Sequence, residues 1–272
     1  MSSTVRLLAS FIALMMAMGI GRFALTPQLP HLISEGQISL TAAGLVAAAN
    51  YLGYLLGAVD DMFARRPAQV RGRLLGGLWL CVGLTLASYW AQGFGAHLLL
   101  RFGTGVASAW VVVTLTSLTQ QLAAQSQQPR LGALVFAGPG MGICMTGMLA
   151  LGANLQGLGS APLWLIYAGV ALIMLLVIQP ALPQPHVPAT PVACGAAATP
   201  GIARLGWVYG LYGVGYIIPA TFMSQMANAR FHGHWLADLF WPAFGLAAAL
   251  GVGLVSLRRP QHGSTARLLR VT

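Results

Sequence analysis

The chain has 272 residues, of which 57% are hydrophobic and only 7% charged. A water-soluble domain carries about 25% charged residues, so this chain cannot cover a water-facing surface, and most of its solvent is lipid. The net charge of +10 rests on arginine alone and raises nucleic acid as a partner, an option that the positions of the arginines remove below.

A membrane helix needs about 20 mostly apolar residues. Eight runs qualify: 7–32, 41–59, 74–92, 98–119, 131–153, 162–180, 205–227 and 236–257. The expected fold is therefore an all-α membrane protein of about eight transmembrane helices. The first run follows Ser-Ser-Thr-Val-Arg and is read as a retained helix rather than a signal peptide, because seven more spans follow.

That first run contains Gly19-Ile20-Gly21-Arg22-Phe23. Arg22 lies about 22 Å along the helix at the usual rise, past the midplane. An arginine there costs at least ~2.5 kcal/mol on insertion scales, so it must face protein or a wet cavity. Helical spacing puts Met15, Gly19 and Thr26 on its face. In the second run the same spacing aligns Asn50, Tyr54, Gly57 and Asp61. In the fourth it aligns Arg101 with Thr104, Gly105 and Ser108. These faces are expected to meet in one polar cavity. Tyr51, Tyr212, Tyr216 and Trp241 are further candidates for its wall.

Acids are scarce. Glu35 falls in an outer loop, Asp60 and Asp61 at a helix end, and Asp238 at the start of the eighth run. Three roles for Arg22 stay open: contact with an anionic substrate such as a carboxylate, structural bonding to backbone carbonyls or Asp238, and proton coupling. Asp238 is the best-placed carboxylate for carrying a proton. The three cysteines have no metal spacing and read as free, small hydrophobes. No metal or cofactor is expected.

Residues 181–204 hold five prolines and no apolar periodicity, which reads as a semi-extended linker. The expected organisation is a six-helix bundle over 1–180, the linker over 181–204, two helices over 205–257, and a basic tail over 258–272. With the N-terminus inside, Arg6, Arg65, Arg66, Arg71, Arg73, Arg130, Arg204, Arg258, Arg259, Arg267 and Arg270 face the cytoplasm, and only Arg230 faces outward. This positive-inside bias puts both termini and the linker in the cytoplasm of a bacterial inner membrane. The basic residues then rest near anionic headgroups; membrane lipid, not nucleic acid, is their partner.

The chain after the linker restarts the chain before it. Gly213-Val214-Gly215-Tyr216-Ile217 echoes the Gly19 motif, and Gly245-Leu246-Ala247-Ala248-Ala249 echoes Gly44-Leu45-Val46-Ala47-Ala48-Ala49. Parallel repeats of this kind build secondary transporters, with the substrate between the halves near midplane.

The loop after the second run, "GAVDDMFARRPAQVRGR", resembles the G-x-x-x-D-R-x-G-R-R signature of the major facilitator superfamily. Gly57, Asp61, Arg65 and Arg66 match, while Met62 and Ala64 replace an Arg and a Gly. "LLLRFGTGVASA" resembles the superfamily's R-x-x-q-G-x-x-x-A through Arg101, Gly105 and Ala109. Gly138-Pro139-Gly140-Met141-Gly142 resembles its G-P-x-x-G. More narrowly, "GIGRFALTPQLP", "AAANYLGYLLGA" and "FWPAFGLAAAL" look like the YbfB/YjiJ family of bacterial facilitator-type transporters, over nearly all of 7–257.

The resemblance implies a secondary transporter of a small molecule. Arg22, Asn50, Tyr54, Arg101 and Tyr216 are its candidate substrate contacts. Gly57, Asp61, Arg65 and Arg66 would form a conformational latch, in which Asp61 bonds to a neighbouring helix in one state. It also implies four further helices, so the chain is expected to be truncated and inactive alone, unless a homodimer completes a pore. The alternatives are an inactive remnant or a membrane interaction protein. An enzyme is not expected. "DDMFAR" resembles the start of the CDP-alcohol phosphotransferase motif, but Asp61 stands where glycine belongs, and no second pair of aspartates supplies the oxygen ligands of a metal.

Overall fold

The protein is described by a computed structural model covering residues 1–64, 66–184, 200–231, 234 and 236–257. These residues contain no strand. In chain order the helices are α1 (Ser3–Ser34), α2 (Leu40–Asp61), α3 (Pro67–Ala87), α4 (Gly93–Gln125), α5 (Pro129–Leu155), α6 (Ser160–Ala181), α7 (Pro200–Phe231) and α8 (Leu236–Leu257). Their starts follow local chemistry. Ser2 and Ser39 accept backbone N–H groups of α1 and α2, and Pro67 and Pro129 occupy first-turn positions, where no N–H is needed. Gly36 and Gly157 turn the chain in the left-handed region, at φ of 69° and 67°, which costs glycine little.

Among the described residues, seven helices are long and apolar enough to cross a membrane. Helix α7 matches the expected seventh span and has 32 residues, yet is not one of the seven. Four glycines and three tyrosines between 205 and 227 dilute its apolarity. It begins at Pro200, so residues 200–204, assigned to the linker, are helical. Linker residues 185–199 and the tail 258–272 lie outside the described residues.

Helix α1 is not uniform. Residues Ser3–Leu14 and Leu25–Ser34 are α-helical, and Met15–Arg22 between them is π-helical. A π stretch makes i→i+5 bonds and shifts every following side chain around the axis. The buried core joins α1 to α3, α4, α5 and α6 through Leu14, Leu78, Leu115, Ala150, Trp164 and Tyr167.

Small residues let the helices approach closely, as packing in lipid requires. A Cβ at Gly57 of α2 would lie 2.7 Å from the Val106 carbonyl oxygen of α4, and one at Gly19 of α1 would lie 2.5 Å from Gly142 of α5. Helix α8 docks on α5 in the same way: a Cβ at Gly140 would lie 2.6 Å from the Ala249 nitrogen, and one at Gly147 would meet Pro242 at 2.5 Å.

The bundle has two chemically distinct ends. At one, Thr4 donates to Gln128 at 3.5 Å, and Arg6 lies beside Gln125 and Pro183; this is the basic end. At the other, Glu35 accepts from the Ser160 N–H at 2.6 Å and from the Ser160 hydroxyl. Gln37 donates to Glu35 at 2.7 Å, and its amide oxygen accepts from His97 Nε2 at 2.9 Å. Burial alone would raise the Glu35 carboxyl, but the Ser160 and Gln37 hydrogen bonds, with His31 nearby, hold it below its ordinary 4.5. A depressed carboxylate contributes stability above its unfolded pKa and loses it as pH falls through the folded one. The thermal midpoint of the wild type should therefore fall more steeply below about pH 4.5 than that of Glu35→Gln. The difference should be under about 1 kcal/mol, because the group is largely exposed. Parallel pH profiles of the two proteins would refute the assignment.

Candidate substrate site

The π-helical turn sets where Arg22 points. Gly19 and Met15 press against Gly142 of α5, whereas the Arg22 guanidinium lies 4.2 Å from the ring centre of Tyr54 and 5.4 Å from that of Tyr51, both on α2. Arg22 thus faces a different helix from Gly19. The face expected from α-helical spacing is corrected by the wider π turn. Phe23 adds a third ring at 5.3 Å, and Tyr216 of α7 is within electrostatic reach. Such rings attract a cation through their quadrupoles without neutralising it. The Arg22 Nε is buried without a hydrogen-bond partner. The ion pair present among the described residues is Arg73–Asp60, at 3.0 Å, and no carboxylate meets Arg22.

An aromatic path leads away from this cation. Phe23 meets Trp241 of α8 edge-on at 6.1 Å, Trp241 stacks on Phe244 at 5.5 Å, and Phe244 stacks on Tyr216 at 5.9 Å. Tyr51 and Thr221 of α7 share a short hydroxyl–hydroxyl hydrogen bond. Arg22 and Tyr54, expected to converge, are therefore neighbours, and Tyr216 is joined to them through Phe244, Trp241 and Phe23. Thr221 and Phe244 join them without having been signalled in the sequence.

Asn50 and Arg101 sit elsewhere. The Asn50 amide donates to the Arg101 carbonyl at 2.8 Å and to Thr104 at 3.2 Å, which ties α2 to α4. The Arg101 side chain is 0% exposed. It donates to Ser88, which caps the end of α3, at 3.1 Å and lies 4.7 Å from the Trp164 ring of α6. It shares no partner with Arg22, so the expectation of one cavity lined by both guanidinium groups is not met. A helix enclosed by α1, α2 and α3 has an inside on more than one face.

The signature loop is engaged with α4. Thr114 donates to both Asp61 oxygens, at 3.2 and 3.3 Å. Trp110 donates to Asp60 at 2.9 Å, and Arg73 reaches both Asp60 and the Asp61 carbonyl. Gly57 lies at the α2–α4 crossing, Arg66 is exposed at the start of α3, and Arg65 lies outside the described residues. Asp238, in the first turn of α8, accepts from Asn154 of α5 at 2.8 Å, at the end opposite the basic residues. Two apolar grooves, of about 630 Å³ between α4, α5 and α8 and about 480 Å³ between α1, α5 and α8, contain none of these residues.

Fold and site together define a multi-pass membrane protein of the major facilitator type. A family model described as "Uncharacterised MFS-type transporter YbfB" matches residues 14–272, and the chain belongs to that family. It is also similar to an "Uncharacterized MFS-type transporter YceJ" of Bacillus subtilis (strain 168), at 26% identity over 265 residues, covering 89% of this chain and 62% of that relative. The chain thus spans less than two thirds of the length of the curated relative it matches.

Proposed function

We propose that this chain carries the substrate site of a secondary transporter for small organic anions. Arg22 binds the acidic group, and Tyr51, Tyr54 and Tyr216 form the walls. The observation that carries this reading is a partly buried guanidinium with no carboxylate partner, surrounded by rings that attract it without neutralising it. A substrate with an aromatic or planar body suits the ring path toward Phe244 and Trp241. Proteoliposome uptake across a panel of organic anions and matched neutral compounds tests it. Saturable uptake restricted to anions is expected; uptake of neutral members alone would refute it.

The contacts of α7 and α8 with the first half support a pathway closed at the Glu35 end and open at the basic end. Asn154–Asp238 joins them at the former, and Tyr51–Thr221 joins them near the middle of α2. Toward the latter, Trp207, Tyr209 and Tyr212 of α7 are 76%, 75% and 70% exposed. By the arginine bias the basic end is the cytoplasmic side of a bacterial inner membrane. A single cysteine at position 190, in a chain lacking its native cysteines, should react with an impermeant reagent only after permeabilisation. Labelling in intact cells would reverse the orientation.

In this reading Asp61 is a latch on Thr114. Asp61→Asn should slow transport about tenfold, the value of roughly one charged hydrogen bond, and leave substrate affinity within about twofold. An affinity loss with an unchanged rate would place Asp61 in binding instead. Asp238 is the carboxylate offered to a coupled proton, and Asp238→Asn should uncouple uptake from a pH gradient. Helix α7 leaves Trp207, Tyr209 and Tyr212 exposed. The same exposed aromatic face favours a second reading, an interaction protein that pairs with another membrane chain.

A further inference from the structure

Arg101 poses a problem that the Arg22 site does not solve. Its guanidinium stays charged in proteins, and it is 0% exposed in the core between α3, α4 and α6. A buried charge is costly unless paired and hydrogen-bonded. The Ser88 hydroxyl accepts from Nη2, but among the described residues Nε and Nη1 have no acceptor. The surroundings add more unsatisfied polar hydrogen. The Trp164 indole Nε1 has no partner, and neither does the Thr85 hydroxyl, one turn before Ser88 on α3. Both side chains are 1% exposed or less. His97, one turn before Arg101, donates from Nε2 to Gln37, so its unpartnered Nδ1 is a single acceptor set against these donors.

No carboxylate answers this set. Glu35 is held by Ser160 and Gln37, Asp60 by Arg73 and Trp110, Asp61 by Thr114, and Asp238 by Asn154. The cluster is short of acceptors and short of negative charge. A water molecule supplies an acceptor only; a small anion supplies both. Complete burial favours a monatomic ion over an organic or oxyanion ligand.

We propose that the Arg101 core binds one halide-sized anion, chloride in ordinary media, through the Arg101 Nε and Nη1, the Thr85 hydroxyl and the Trp164 indole N–H. The ion neutralises the interior and pins α3, α4 and α6 together, so the stability of the bundle depends on chloride. The site is separate from the one at Arg22.

The test uses the full chain purified in detergent in a gluconate buffer. Radioactive chloride binding and the thermal midpoint are followed as chloride or bromide replaces gluconate at constant ionic strength. One saturable site and a rising midpoint are expected, both lost in Arg101→Gln and both kept in Arg22→Gln. Should Arg101→Gln fail to fold, Thr85→Val keeps the shape and removes one donor. It should weaken chloride binding about tenfold, the worth of one charge-assisted hydrogen bond. No preference for halide over gluconate would mean internal water only and overturn the proposal. Binding lost in Arg22→Gln but kept in Thr85→Val would overturn it too, and would assign the anion to the Arg22 site.

Discussion

Arg22→Gln should weaken binding of an anionic substrate about a hundredfold while leaving the fold as stable as before or slightly more so. A bidentate guanidinium–carboxylate contact in a low-dielectric site is worth roughly 3 kcal/mol, or about a hundredfold in affinity. Gln keeps much of the side chain's length and loses the charge. Arg22→Lys keeps the charge without the planar fork and should lose about tenfold. The stability half of the expectation separates function from structure. Among the described residues Arg22 has ring contacts but no acceptor, so removing its charge takes away a desolvation cost and breaks none of the described hydrogen bonds. If Arg22 instead locks helices together, Arg22→Gln lowers the thermal midpoint sharply and affects all ligands alike.

Gly57→Leu and Gly105→Leu should each destabilise the bundle by more than about 2 kcal/mol and reduce the amount of folded protein recovered. At Gly57 even a methyl group would lie 2.7 Å from a backbone oxygen of α4, and at Gly105 it would lie 2.9 Å from the Tyr54 nitrogen of α2 and closer still to the Asn50 carbonyl. These neighbours are main chain, so the two helices must separate, and overpacking of this kind typically costs 1–3 kcal/mol or more. Separation would also pull Asn50 from the Arg101 carbonyl and Asp61 from Thr114. Gly72→Ala and Gly76→Ala on α3 are the controls. A Cβ at either position meets nothing within 4 Å, and the change should raise stability by about 0.5–1 kcal/mol. Thermal midpoints that fall equally in both groups would remove the helix-crossing argument.

Much of the fold could be read from apolar length alone, because a lipid solvent forces each span to be long, helical and poor in charge. Arg22 stood out for the same reason, as a charge too deep to be idle. Its direction was not legible. Spacing arguments assume 3.6 residues per turn, and nothing in Met15–Arg22 announces a π stretch. Arg101 was misplaced for a different cause: α4 is enclosed by neighbours, so a polar face does not say which cavity it serves. Asp61 was found through its motif, but its partner Thr114 lies 53 residues away. The Glu35–Ser160 contact joins residues 125 apart. Such pairings depend on how helices are arranged across the bundle, which periodicity within one helix does not encode.

The central claim is that Arg22 recognises the acidic group of the substrate. Its most direct test is titration of the purified chain in lipid nanodiscs with a panel of aromatic and aliphatic carboxylates, each paired with its neutral amide, for the wild type and Arg22→Gln. The account predicts saturable binding of at least one carboxylate, at least tenfold weaker binding of its amide, and loss of that difference in Arg22→Gln. Equal binding of acid and amide by the wild type, or the same preference for acid in Arg22→Gln, would contradict it.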